Sequence, residues 1–275
     1  MKNGWKKFWI ICAVTAGMGI VLCIVSAAMG ATWGLVQKHA PSWISLGTRE
    51  IYEVKIDEQT TASSSEETFS GVKNLHVDAD VLNLQVFVNE DYSDKVVITN
   101  LNEDASVQYV QSGESLKIKQ EKKVLKSSDE APELMVFIPV AYFDEIDINV
   151  SAGTVYIEEL DGVGELNLNV DAGEIVVGNF IADEADLTCG AGRIDASGVC
   201  SREIDIECGA GEINLTINEK RERYNYEIDC GLGEVIIDNK RFSGLGDKEI
   251  YENKAAKEMS IECGMGSVLV TFMQE

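Results

Sequence analysis

Ile204-Asp205-Ile206-Glu207-Cys208-Gly209-Ala210-Gly211-Glu212-Ile213-Asn214-Leu215 decides the fold. It is two short runs of apolar/polar alternation joined at a corner of small residues. Alternate side chains of a strand point the same way, so each run has one core face and one solvent face. The corner recurs six times, with its glycine at Gly153, Gly173, Gly192, Gly211, Gly233 and Gly266. A period near 20 residues predicts stacked units, each unable to bury its apolar face alone.

Working outward, the inward residues before the corner are Ile146/Ile148/Val150, Leu166/Leu168/Val170, Leu187/Cys189, Ile204/Ile206/Cys208, Tyr226/Ile228/Cys230 and Met259/Ile261/Cys263. Asp147, Asn149, Asn167, Asn169, Asp205, Glu207, Glu227, Asp229, Ser260 and Glu262 alternate with them on the outer face. After the glycine, Val155/Ile157, Ile175/Val177, Ile194/Ala196, Ile213/Leu215, Val235/Ile237 and Val268/Val270 turn inward. The corner glycine is expected to supply a backbone angle that other residues resist. A degenerate copy over Leu75–Leu84 places Asp80 at the glycine position and Val77 at the cysteine position, making seven expected rungs.

The fold class expected is all-β: a parallel β-solenoid of about 20 residues per rung. Short runs at 96–99, 107–110, 116–119 and 134–139 lack the corner, and Gln111–Ser115 reads as a hairpin turn. The N-terminal part is therefore expected to be mixed or antiparallel, closing one end of the stack. Before the last rung, residues 238–258 form an insertion rich in glycine and charge, read as either a contact surface or an end cap.

Residues 1–8 are a short basic segment, expected to be cytoplasmic, and no charge falls between Phe8 and Gln37. Such a run can cross a bilayer, so a transmembrane helix is expected over 9–36, with Trp9 and Trp33 near its ends. The lysines on its N-terminal side put the rest of the chain outside the cell membrane. Ser26-Ala27-Ala28 offers the alternative of a cleaved signal peptide, but the apolar run continues beyond it. Residues 37–68 read as a juxtamembrane linker and 69–275 as the β domain.

From residue 50 onward the chain holds 18 basic against 47 acidic residues, a net −29. That charge excludes nucleic acid as a partner. Cys189, Cys208, Cys230 and Cys263 share one repeat position with valines, as small buried hydrophobes do. Disulfides involving these or Cys200 stay open, because neighbouring rungs are close enough in Cα spacing.

The Ala79-Asp80-Val81 start, the Ile138-Pro139 and Phe143–Ile148 entry and the repeated Gly-Ala-Gly or Ser-Ala-Gly corners together resemble an adhesin-like β-solenoid family of bacterial envelope proteins, over about residues 69–273. The resemblance implies surface exposure and an envelope-stress or signalling context, and supplies no catalytic residues. The residues themselves agree. His39 and His76 are the only histidines, and neither sits in a triad or zinc pattern. The Gly-x-Gly corners precede no helix, so they are not a dinucleotide fingerprint. Glu174, Glu212 and Glu234 follow corner glycines in a column that Arg193 interrupts, which argues against calcium. No enzyme, cofactor, catalytic or metal site is expected. The expected function is a membrane-anchored extracytoplasmic binding or scaffold module with an envelope or extracellular protein or peptide partner. The alternative is the outer sensing component of an envelope-stress or antimicrobial-peptide response, acting through a membrane partner.

Overall fold

The computed structural model describes residues 65–273 except 93, 103–105, 122–130 and 244–246. The helix expected over 9–36, and the linker as far as residue 64, lie outside the described residues. Among the described residues, no helix is long and apolar enough to cross a membrane.

The described chain is all-β. In order it forms β1 (Ser65–Ser70), β2 (Asn74–Val88), β3 (Lys95–Asn100), β4 (Val107–Ser112), β5 (Ser115–Gln120), β6 (Glu133–Ile138), β7 (Phe143–Val170) and β8 (Glu174–Cys189). There follow β9 (Arg193–Cys208), β10 (Glu212–Ile217), β11 (Tyr224–Cys230), β12 (Glu234–Ile237), β13 (Lys240–Phe242), β14 (Asp247–Tyr251), β15 (Lys257–Cys263) and β16 (Ser267–Phe272). Each rung has a front segment before the corner and a back segment after it. Front pairs with front and back with back, in parallel and in register: Ile204 lies beside Met259, and Ile213 beside Val268. Ile204, Ile206, Cys208, Ile213, Leu215 and Ile217 are all buried, forming part of the core between the walls.

The corner glycines have a different cause from the one expected. Among them only Gly153 adopts a positive φ, 117°. The rest are required by close stacking: a Cβ on Gly211 would lie 2.5 Å from the Gly192 carbonyl oxygen and 2.5 Å from Cys189 Sγ. Backbone rests directly on backbone at the corner, which only glycine permits. The residue at the apex points to solvent, as Leu232 and Met265 show at 69% and 68% exposure.

The degenerate copy is also displaced from its expected register. Ala79, not Val77, pairs with Val150, and Leu82, not Asp80, lies against Gly153. The Ala-Asp-Val triplet imitates a corner, but the pairing of Leu75 with Ile146 fixes the core face two residues away.

Both ends depart from chain order. β5 and β6 are the front and back of an eighth rung, lying outside β2 although they follow it in sequence. At the other end, β15 and β16 slot between the rung of β9 and β10 and that of β11 and β12. The last rung in sequence is therefore second from the end in space.

Antiparallel strands close both ends. At the first, β4 pairs with β5, and β3 with β6 and β1, so the expected N-terminal cap and the hairpin at 111–115 are present. At the other, β13 pairs with β12 and β14 with β11. The 238–258 insertion thus serves as an end cap.

Candidate binding surface

The two walls share an inner face and differ outside. On the front wall, parallel register stacks like residues into columns. Glu165, Glu184, Glu203 and Glu258 form one; Asn167, Asp186, Asp205, Ser260 and Glu227 a second; Thr188, Glu207, Glu262 and Asp229 a third. Strand spacing of about 4.8 Å brings these acids close together, and like charges directly opposite repel. Basic partners reach only the margins, as Arg202 does to Glu184 at 3.0 Å and Lys248 to Glu227. Among the described residues, no ion pair reaches Asp186, Asp205, Glu207, Glu262 or Asp229.

The protonation of this wall reflects that crowding. Partial burial, then the charges of Glu203, Asp186, Glu207 and Glu184, push the Asp205 carboxyl up to about 6. Asp186 is raised by the same kind of burial and by Glu165, Glu184, Glu203 and Glu207. Asp186, Thr188, Asp205, Glu207, Ser260 and Glu262 line a shallow groove between rungs. Chemically, it presents carboxylate oxygens without cations.

The back wall neutralises itself. Arg193 donates from Nε and Nη2 to Asp195 at 2.6 and 2.9 Å and from Nη1 to Glu212 at 3.2 Å, with Glu174 3.9 Å away. Asn214 Nδ2 donates to Asp195 and Glu212. Of the post-glycine acids, Glu174 and Glu212 therefore flank a guanidinium, while Glu234 pairs with Arg241 at 2.8 Å. Nearer β6, this wall is aromatic, with ring centroids 5.8 Å apart for Phe87 and Phe137 and 6.2 Å for Phe87 and Tyr156.

One cluster escaped the sequence reading. His76 faces Asp147 across the ladder, Nδ1 to Oδ2 3.6 Å, and its Nε2 lies 3.9 Å from Glu145 Oε2. These three half-buried residues have donor atoms close enough to hold a metal ion. However, the two carboxylates address opposite nitrogens of one ring, and Lys117 pairs with His76 on its other side. The ring thus bridges two acids across the ladder. Only the register of β2 on β7 reveals it.

The five described cysteines, Cys189, Cys200, Cys208, Cys230 and Cys263, are buried and none is joined to another by a disulfide.

Stacked rungs with a packed core, capped ends and one acidic outer wall define a repeat-built β domain. The chain belongs to the Toastrack DUF4097 family, whose model matches residues 72–274. Among solved structures it is similar to a "putative cell adhesion protein" of Clostridium sporogenes, at 14% identity over 77% of this chain and 100% of that one, TM-score 0.41. It is also similar to a "putative adhesin" of Parabacteroides merdae, at 14% identity over 78% and 98% with TM-score 0.37, and to one of Bacteroides fragilis, at 15% over 76% and 97% with TM-score 0.33. No curated protein matches the chain.

Proposed function

We propose that this protein is a non-catalytic β-solenoid binding module of the cell envelope, held at the membrane by residues 9–36. Its front wall would face a cationic segment of an envelope or extracellular partner. One observation carries the reading: the middle of the front wall stacks Asp186, Asp205, Glu207, Glu262 and Asp229 with no ion-pair partner among the described residues, while the back wall spends its acids on Arg193. Stacked acids cost stability unless something compensates them, and a polycation would do so. The apolar run from Phe8 to Gln37 supplies the anchor and the lysines before it the orientation.

Crosslinking in intact cells, followed by recovery of the protein, tests the partner. The expected product is an envelope or secreted protein joined through a basic segment to front-wall residues. Crosslinks confined to the back wall would refute the reading. Protease added to intact cells is expected to digest the β domain; protection until the membrane is opened would invert the topology.

A further inference from the structure

The displaced last rung decides which thiols stand side by side. Across the eight rungs, the position before the corner is occupied in spatial order by Gln120, Ala79, Val150, Val170, Cys189, Cys208, Cys263 and Cys230. The pairings Ala79–Gln120, Ala79–Val150, Val170–Cys189, Cys189–Cys208, Cys208–Cys263 and Cys263–Cys230 establish most of this order. Had the rungs stacked in chain order, Cys230 would follow Cys208. With β15 inserted, the four thiols still form one unbroken column.

Three of the sulfurs also share an orientation. Cys189 Sγ lies 2.5 Å from the point a Cβ on Gly211 would occupy; for Cys208 and Gly266 the distance is 2.5 Å, and for Cys263 and Gly233 it is 2.7 Å. Three of the four sulfurs thus fill the space left by the corner glycine of the next rung, while Cys230, in the end rung, turns its Sγ to the Phe242 carbonyl oxygen at 3.8 Å; the paired positions repeat at the ladder spacing of about 4.8 Å. A disulfide needs Cβ atoms about 3.5–4.5 Å apart, closer than directly paired residues of a parallel ladder stand. A tetrahedral zinc site needs four converging ligands, which a line of sulfurs cannot supply. Two collinear metal–sulfur bonds of about 2.3 Å span nearly one ladder step.

We infer that this column is a binding site for a soft monovalent cation of the Cu(I) or Ag(I) class, each ion held linearly between two stacked thiolates. The pairs are Cys189 with Cys208 and Cys263 with Cys230. Thiolate sulfur selects such ions over hard cations. On binding, each pair of thiols releases two protons to solvent and forms two metal–sulfur bonds, with no change in oxidation state. A cleft over the corners is lined by Cys189, Cys208 and Cys263 and edged by Glu207, Glu262 and Asp229, which attract a cation to the column. Cys200, fully buried away from the column and raised to about 12 chiefly by burial, is a built-in control.

The test is anaerobic titration of the reduced, purified full chain with Cu(I), competed against the chromophoric chelator bathocuproine disulfonate. Two ions per chain are expected for the parent and for Cys200→Val, one for Cys208→Val, and none for the Cys208→Val/Cys263→Val double variant. Valine occupies this position at Val150 and Val170, so the variants are expected to keep their circular dichroism and melting behaviour. Failure of the parent to take copper from the chelator would overturn the inference. So would uptake that survives in the folded double variant, or mass spectrometry showing the ladder cysteines already joined as disulfides.

Discussion

The front and back walls are built from one repeat and share one core, yet they have opposite outer surfaces. On the back wall a single residue, Arg193, gathers Glu174, Asp195 and Glu212 and ends their repulsion. At the same level the front wall stacks Glu184, Asp186, Glu203 and Asp205 with only Arg202 at its edge. The inner face cannot vary because each rung must continue the core of the last. The outer face has no such constraint, so a wall that keeps its charges uncompensated is where binding is to be sought.

The most damaging way to break the comparison is to remove what both walls share. Gly211→Val would force side-chain carbons into the Gly192 carbonyl and Cys189 Sγ, and is expected to cost about 3 kcal/mol or more in denaturant unfolding. Gly113→Ala, in an open hairpin turn at φ 63°, is expected to cost about 1 kcal/mol.

Binding separates the walls next. Replacing Asp186 and Asp205 by Asn and Glu207 by Gln is expected to weaken polylysine binding about tenfold at low salt, with the difference shrinking as salt rises. Arg193→Ala is expected to leave that affinity near the parent value and to lower stability by about 1 kcal/mol, because it exposes three acids to one another.

The smallest effect is on pH dependence. Because Asp205 titrates near 6 in the fold and near 3.9 in an unfolded chain, the folded state keeps a proton that the unfolded state releases. Its contribution to stability therefore falls as pH rises from about 4 to 6. Asp205→Asn is expected to be more stable than the parent at pH 8, by about 1 kcal/mol after solvent screening, and to converge with it toward pH 4. Thermal melts across this range measure the difference.

Local alternation around Ile204 and Ile213 was enough to read both walls, the core and the acidic outer face. What escaped depended on pairings between distant segments. The rung of β5 and β6 was hidden because the sequence between Gln120 and Glu133 contains no glycine to mark a corner. Ala79-Asp80-Val81 resembled a corner but lies against the segment from Val150 to Ala152, and Leu82 stands against Gly153, so the register differs by two. Nothing within residues 224–272 announces that β15 inserts inside β11, since either order satisfies the same alternation. The glycines were recognised as corners while their cause, backbone stacked on backbone, required the neighbouring rung. The acids were visible one by one; that Arg193 gathers those of one wall while basic residues reach only the margins of the other became apparent only from the columns.

The central claim is that the front wall is the binding face. A lysine-rich peptide carrying a photocrosslinker, bound to the full chain and mapped by peptide mass spectrometry, tests it most directly. The account predicts crosslinks concentrated between Glu184 and Glu262 on the front strands of β8, β9 and β15. Equal labelling of the strand faces around Arg193, Asp195 and Asn214 would contradict it.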